Sequence, residues 1–350
     1  MNAVTLQYLA ERVGGTIQGN PAILCHQALP LCDATAGQIT LLDDAKSLPK
    51  ALASDVAAIV VRQAISSPIP QLIVPHPHEA FASIVSYFRP QRVLTGSGIH
   101  PSAKIDPTAR IGQGSVIHPQ VIIGAEVTIG NQCVIMPGVV ILDGSRLGND
   151  ITLFPNVVIY AETVIEDRVM IHANSVIGAF GFGYHSVDGR HERSPQLGYV
   201  HIEADVELGA CTTIDRGTFG ATRIGAGTKM DNHVMIGHNC HIGRHNLICS
   251  QAGIAGSSST GDYCVLAGQV GLADHVHIGD RVTVGAQAGV MSQLPSGGTY
   301  LGSPAMPIRE QMLIYAILRK LPGINRTIRK LEQMWSREEP NESPQRRDAA

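Results

Sequence analysis

A chain of 350 residues is long enough for two or three domains, and 44% hydrophobic content can fill a substantial core. Charged residues make up only 16%, aromatics 4%, and a formal net charge of −3 gives no reason to expect nucleic-acid binding. No apolar run is long enough to span a bilayer, and no basic region followed by an apolar core opens the chain, so neither a membrane span nor a secretory signal is expected.

From the N-terminus, Thr5 is placed to cap a short helix over LQYLAERV, which Gly14-Gly15 ends. Strand-like runs such as AAIVV and QLIVP follow, so residues 1–98 are expected to form a separate small α/β domain.

From Ile99 the pattern changes to a period of six. Stepping by six lands on Ile105, Ile111, Ile117, Ile123, Ile129, Ile135, Ile141, Leu147, Leu153, Ile159, Ile165, Ile171 and Ile177. Two places before each stands a mostly small or β-branched residue such as Ala103, Ala109, Ser115, Val121 or Cys133, and Gly or Pro follows as a corner former. Each hexad therefore reads as one short strand and one corner, with the aliphatic and the small residue both facing inward. A helix is excluded, because a period of six walks around it. A hexad cannot bury its own face, so stability must come from stacking coil on coil. The expected fold over 99–303 is a left-handed parallel β-helix of about nine or ten coils.

The beat breaks at 178–199 (GAFGFGYHSVDGRHERSPQLGY), an excursion expected to project outward, where it can wall a site. It resumes at Ile202, Leu208 and Ile214, slips by four residues through DRGTFGATR, and runs from Ile224 to Val290 with only Thr260 off it. Residues 304–350 form the last part: IREQMLIYAILRK and INRTIRKLEQMW have helical spacing with a Pro-Gly break between them, and the EEPNESPQRRDAA tail reads as disordered. The seven cysteines, at 25, 32, 133, 211, 240, 249 and 264, make an odd set without a CxxC pair, which predicts reduced thiols in a cytoplasmic protein.

A β-helix does not specify an activity. The discriminating segment is TTIDRGTFGATRIGAGTKMDNHVMIGHNCHIG, residues 212–243. Together with GFGY (181–184), SPQLGY (194–199), the opening LQYLAERVGG and the YLGSPAMPIRE run, it resembles the UDP-3-O-acylglucosamine N-acyltransferase family over essentially the whole chain. That resemblance implies transfer of a 3-hydroxyacyl chain from acyl carrier protein to the 2-amine of a UDP-linked glucosamine in lipid A biosynthesis, by a homotrimer with its sites in clefts between subunits. Two alternatives stand beside it: a hexapeptide-repeat acyltransferase acting on another nucleotide sugar, such as one that O-acylates UDP-N-acetylglucosamine, and a non-catalytic scaffold.

The resemblance places a general base at His238 and a second histidine, expected to contact the thioester or oxyanion, at His275. An imidazole suits proton acceptance from an amine near neutral pH. Repeat arithmetic puts Gly256 one coil above His238, where its backbone N–H could meet an oxyanion. Asp231, Asn232 and Asn239 are expected to flank the site and orient the sugar or His238. No cofactor is implied. His233, His238, His241 and His245 raise a metal alternative, but on an 18-residue coil they point to different faces, so no metal is expected. His100, His118 and His172 occupy corner positions and read as structural.

In the family the N-terminal domain reads the uridine nucleotide between two aromatic rings. The matching segment is QITLLDDAKS, where Leu41 and Ser47 stand at the aromatic positions, Asp44 at a usual asparagine, and Lys46 is kept. Asp44 and Lys46 remain candidate nucleotide contacts. Arg309, Arg319, Lys320, Arg326, Arg329 and Lys330 give the C-terminal helices a basic face, which suits either docking of an acidic carrier protein or a solvated side of a trimer-packing helix.

Overall fold

The computed structural model describes residues 3–90 and 98–338, and the chain divides into two compact units, Met1–Thr95 and Gly96–Ala350. The EEPNESPQRRDAA tail lies, but for its first residue, outside the described residues.

In the first unit the Thr5 hydroxyl accepts a hydrogen bond from the Tyr8 N–H and caps the helix Leu6–Val13, which ends at Gly14 with φ 65°. A five-stranded sheet follows in the order Thr16–Gln18, Gln71–Ile73, Ala58–Val61, Gln38–Leu41, Gln27–Ala28, antiparallel only at its first pair. Ala58–Val61 is buried throughout because both sheet faces are covered. One core gathers Val60, Leu72 and Ile84 with the helix residues Leu6 and Leu9; the other holds Ile59, Val61 and Leu42.

The second unit is a parallel β-helix whose three sheets hold ten, ten and nine strands. Most strands are two residues long, the first facing out and the second in, and successive coils register 18 residues apart, as in Ile117↔Ile135, Ile123↔Ile141 and Ile129↔Leu147. The beat residues fill the interior with almost no solvent contact. Each contributes on the order of 1.5–3 kcal/mol by burial, offset by the entropy of ordering its short strand.

The small residue two places earlier has a second use. Ser115, Ser145, Ser175, Thr228 and Ser258 donate their hydroxyls to corner carbonyls of the coil above, at 2.8–3.1 Å. Corners also need backbone in the left-handed region, which Gln120, Gln132, Asn156, Asn174 and Asn239 adopt at φ 57–62° although they are not glycine. The off-beat Thr260 is explained by polarity: its Oγ1 accepts from Gly243 N–H at 3.0 Å and from the Nδ2 of the fully buried Asn246 at 2.7 Å.

The expected Pro-Gly break after the β-helix does not occur. One helix runs from Ile308 to Glu338 with Pro322 inside it. A proline removes one hydrogen bond of the ladder, a loss that a helix of this length absorbs.

Candidate active site

The changes of coil length in the β-helix gather on one edge, the corner that follows the strand family of Val176–Ala179, Thr213–Asp215, Met235–Ile236, Gly253–Ile254 and Gly271–Leu272. The excursion leaves the coil there, folding into a hairpin of Tyr184–Val187 with Arg190–Arg193 and returning through Tyr199–Ile202. The return packs on the 216–220 loop, with Leu197 N–H on Thr218 O at 2.7 Å and Gly198 N–H on Gly217 O at 3.0 Å. The register shift between Ile177 and Ala179 against Thr213–Asp215 marks the point of departure.

His238 follows Ile236 on this edge and is half-buried, not sealed in the prism. Two glycines give its ring room. A Cβ on Gly256 would stand 2.7 Å from Nε2, and one on Gly181 would stand 2.5 Å from the His238 Cβ and 2.8 Å from Cδ2. The imidazole therefore lies between the bare backbone of the coil above and that of the excursion.

Its tautomer follows from hydrogen bonding. Asn239 Oδ1 accepts from Thr218 N–H at 3.1 Å and Thr218 Oγ1–H at 2.8 Å, and lies 2.8 Å from His238 Nδ1. A backbone N–H can only donate, so that Asn239 atom is the oxygen, and Nδ1 must carry the proton. Nε2 is left with its lone pair, facing Gly256.

Lower on this edge, at the same position of its coil, Ala125 N–H is capped by Asp143 Oδ1 at 2.8 Å. Above Gly256 stands Asp274, whose Oδ2 is instead 3.2 Å from His275 Nδ1. The Gly256 N–H has no acceptor among the described residues.

His275 shares the edge but not the column of His238: with Ser257 and Asn239 it forms the neighbouring column, at φ 58°, and its side chain is 74% exposed. Asp231 and Asn232 lie on a different edge of the prism, after Lys229–Met230, where Asn232 Oδ1 accepts from Ala210 N–H at 2.7 Å. Asp44 and Lys46 sit together in the first unit, Asp44 Oδ1 accepting from Lys46 N–H at 2.9 Å; Leu41 ends a strand of that sheet and Ser47 precedes the helix Leu48–Ala53. Among the described residues no group of three or more His, Cys, Asp or Glu is arranged to hold a metal, and no helix is long and apolar enough to cross a membrane. His172 stacks on Phe154 with ring centroids 4.5 Å apart and His100 Nδ1 meets Ser102 Oγ at 2.9 Å, while His118 Nε2 is buried without a partner.

Two further residues complete the corner. Arg216 is buried, donates to Gly178 O at 2.9 Å and Ala161 O at 2.6 Å, and lies under the Phe180 ring. It fixes the root of the excursion, and desolvation lowers its pKa. Asp215 is half-buried, and burial raises its pKa to about 6, opposed by the nearby His238. Both stand in the TTIDRG run, and since burial is set by the folded edge, only the motif itself could have flagged them.

The chain is 48% identical over 362 residues to a UDP-3-O-acylglucosamine N-acyltransferase of Rhodopirellula baltica, covering 96% of this chain and 94% of that protein. It is 46% identical over 342 residues to one of Methylacidiphilum infernorum, covering 97% of each. Among solved structures it is similar to a UDP-N-acetylglucosamine acyltransferase from Bacteroides fragilis, with a TM-score of 0.43 and 26% identity over 57% of this chain and 70% of that one. A family model described as the GMPPB C-terminal domain matches residues 98–180.

Proposed function

Because this chain belongs to the UDP-3-O-acylglucosamine N-acyltransferase family, we propose that it moves a 3-hydroxyacyl chain from acyl carrier protein to the 2-amine of a UDP-3-O-acylglucosamine, with His238 as general base. The observation that carries this is the imidazole whose Nδ1–H is held by Asn239 and whose bare Nε2 faces an uncapped backbone N–H.

As the amine attacks the thioester carbonyl, Nε2 accepts its proton, and the same imidazolium then returns that proton to the leaving thiolate sulfur. The Gly256 N–H is the donor for the oxyanion that forms between these steps. His275, exposed and one column away, is placed to meet the carrier's arm rather than the amine. No step calls for a metal or cofactor.

Assembly as a homotrimer is supported by the C-terminal helix. Ile317, Leu321, Ile324, Ile328, Leu331 and Trp335 alternate four and three residues apart, the spacing of a coiled-coil seam, and all are exposed. Arg319, Lys320, Arg326, Arg329 and Lys330 fall off that seam. Copies of this chain thus cover the apolar stripe, and the outward basic side is free for the acidic carrier protein. In such an assembly Asp231 and Asn232 can serve only a site shared with a neighbour, since they stand on another edge from His238. The uridine nucleotide goes to the first unit, at the Leu41–Ser47 segment with Asp44 and Lys46.

The test is incubation with UDP-3-O-acylglucosamine and a panel of acyl-loaded carrier proteins, with mass analysis of the products. His238→Ala should abolish the mass gain while leaving the assembly intact; unchanged turnover would remove the mechanism.

A further inference from the structure

Asp215 has no part in the reaction as drawn, yet its setting needs an explanation. It ends the strand Thr213–Asp215, directly at the register shift where the excursion leaves, and on the same edge as His238. No donor among the described residues bonds its carboxylate, though its neighbours on either side are firmly placed: Ile214 is in the core and Arg216 is clamped on two carbonyls. The carboxylate is not sealed either, since neither of its oxygens is among the fully buried unpartnered atoms. It is thus a half-desolvated carboxylate without a donor, near enough to His238 for the two to interact electrostatically.

The reaction chemistry has a matching gap. A sugar amine near neutral pH is largely an ammonium, much as an α-amino group with a pKa of about 7.7–8.0 is. An ammonium has no lone pair to attack with, so one proton must leave before the C–N bond forms and a second as it forms. His238 can hold only one of them.

Resting on the acyl transfer proposed above, we propose that the Asp215 carboxylate is the seat of the substrate's 2-ammonium and the acceptor of its first proton. The ammonium docks on the carboxylate, and one N–H bond breaks to give a carboxylic acid and the free amine. The amine's lone pair forms the C–N bond at the thioester carbon, and the second proton goes to His238 Nε2. The C–S bond then breaks and the sulfur takes that proton from His238. Asp215 returns its proton to water once the amide has left, so one proton is released per turnover.

The raised affinity of Asp215 for a proton, caused by burial, suits it to that exchange. The charged or titratable groups that face it are His238 and Cys240, the latter a buried thiol bonded to Ala255 O. The next residue's guanidinium is turned away, toward Gly178 and Ala161.

The test is direct binding by calorimetry at pH 6.5, without acyl donor, of UDP-3-O-acylglucosamine and of its analogue with a 2-hydroxyl, to the wild-type protein and to Asp215→Asn. The wild type should prefer the amine by about tenfold to a hundredfold, the range of a charge-assisted hydrogen bond. The variant should bind both ligands alike, with its affinity for the hydroxyl analogue unchanged. In turnover it should lose a similar factor in kcat/KM at pH 7 and recover most of it by pH 9, where the amine arrives already deprotonated. Equal weakening of both ligands, or of neither, overturns the amine seat while leaving acyl transfer standing. A wild type that makes no amide product from any carrier overturns both.

Discussion

Gly256→Ala isolates the space around the imidazole. The new methyl would sit 2.7 Å from His238 Nε2 and 2.8 Å from Cε1, against ordinary van der Waals contact at 3.4–4 Å. The ring has to retreat by about 0.7–1 Å to restore normal separation. Moving off this methyl tilts the ring and strains the 2.8 Å contact of Nδ1 with Asn239. A misplacement of about 1 Å costs on the order of 10²-fold in rate, equivalent to about 2.7 kcal/mol in the barrier. Gly256 has no left-handed φ, so alanine brings no backbone penalty, and the melting temperature should stay within a few degrees of wild type. Single-turnover acyl transfer under saturating substrates measures the loss apart from binding. A kcat within twofold of wild type would show that Nε2 is not the working atom or that the ring is not confined.

Asn239→Asp keeps the acceptor for His238 Nδ1 and Thr218 but adds a negative charge that favours imidazolium, so the acid limb of the rate–pH curve should move to higher pH while turnover at pH 8 is nearly normal; Asn239→Ala, which frees the tautomer, should lose about 10²- to 10⁴-fold at every pH. Thr260→Val restores the aliphatic beat yet strips Gly243 N–H of its acceptor and Asn246 Nδ2 of its nearest one, so denaturant titration should show a loss of about 1–3 kcal/mol, and a gain would refute the buried-network account. Leu321→Asp places a charge in the helical seam and should weaken self-association in sedimentation equilibrium, with an unchanged association constant counting against the coiled coil. Asp215 is raised from 3.8 to about 6, so between about pH 4 and 6 the unfolded chain gives up its proton first and stability falls as pH rises, the penalty standing in full above 6. At face value that is about 3 kcal/mol, discounted to about 1–2 kcal/mol because the carboxylate is partly solvated, so Asp215→Asn should melt higher than wild type at pH 7.5 and equally at pH 4.

The β-helix was legible because its rule is local: an aliphatic residue every sixth place, a small one two before it, and a corner former after it. Thr260 broke the rule for a reason no period reveals, since its partner Asn246 lies fourteen residues back across the prism interior. Asp231 and Asn232 were grouped with His238 by nearness in sequence, but a step of one hexad carries the chain to the next edge of a three-sided prism. The Pro-Gly pair suggested a break that the helix spans. Asp215 stands in the motif, but its burial is a property of the folded edge that no sequence period reports. The N-terminal segment was placed by resemblance alone, and there the structure supplies a self-satisfied Asp44–Lys46 turn.

Away from one edge, the coils satisfy most of their own polar groups, His118 Nε2 excepted. Corner N–H groups are capped by Asp or Asn from the coil above, as at Gln113 with Asn131 and Arg244 with Asp262, and inward hydroxyls bridge to carbonyls. At the edge of His238 this economy is suspended three times over. The coil length changes from 18 to 37 residues and then to 22, the Gly256 N–H goes unclaimed, and a carboxylate is left desolvated without a donor. Each departure costs stability, and a stacking fold could have avoided all of them by repeating its own rule. Unclaimed groups of opposite character around a tautomer-locked imidazole are what an ammonium, an oxyanion and a migrating proton each require. The repeat therefore serves as the ground against which the reactive corner stands out: the edge at which the coil length changes is the edge that carries His238.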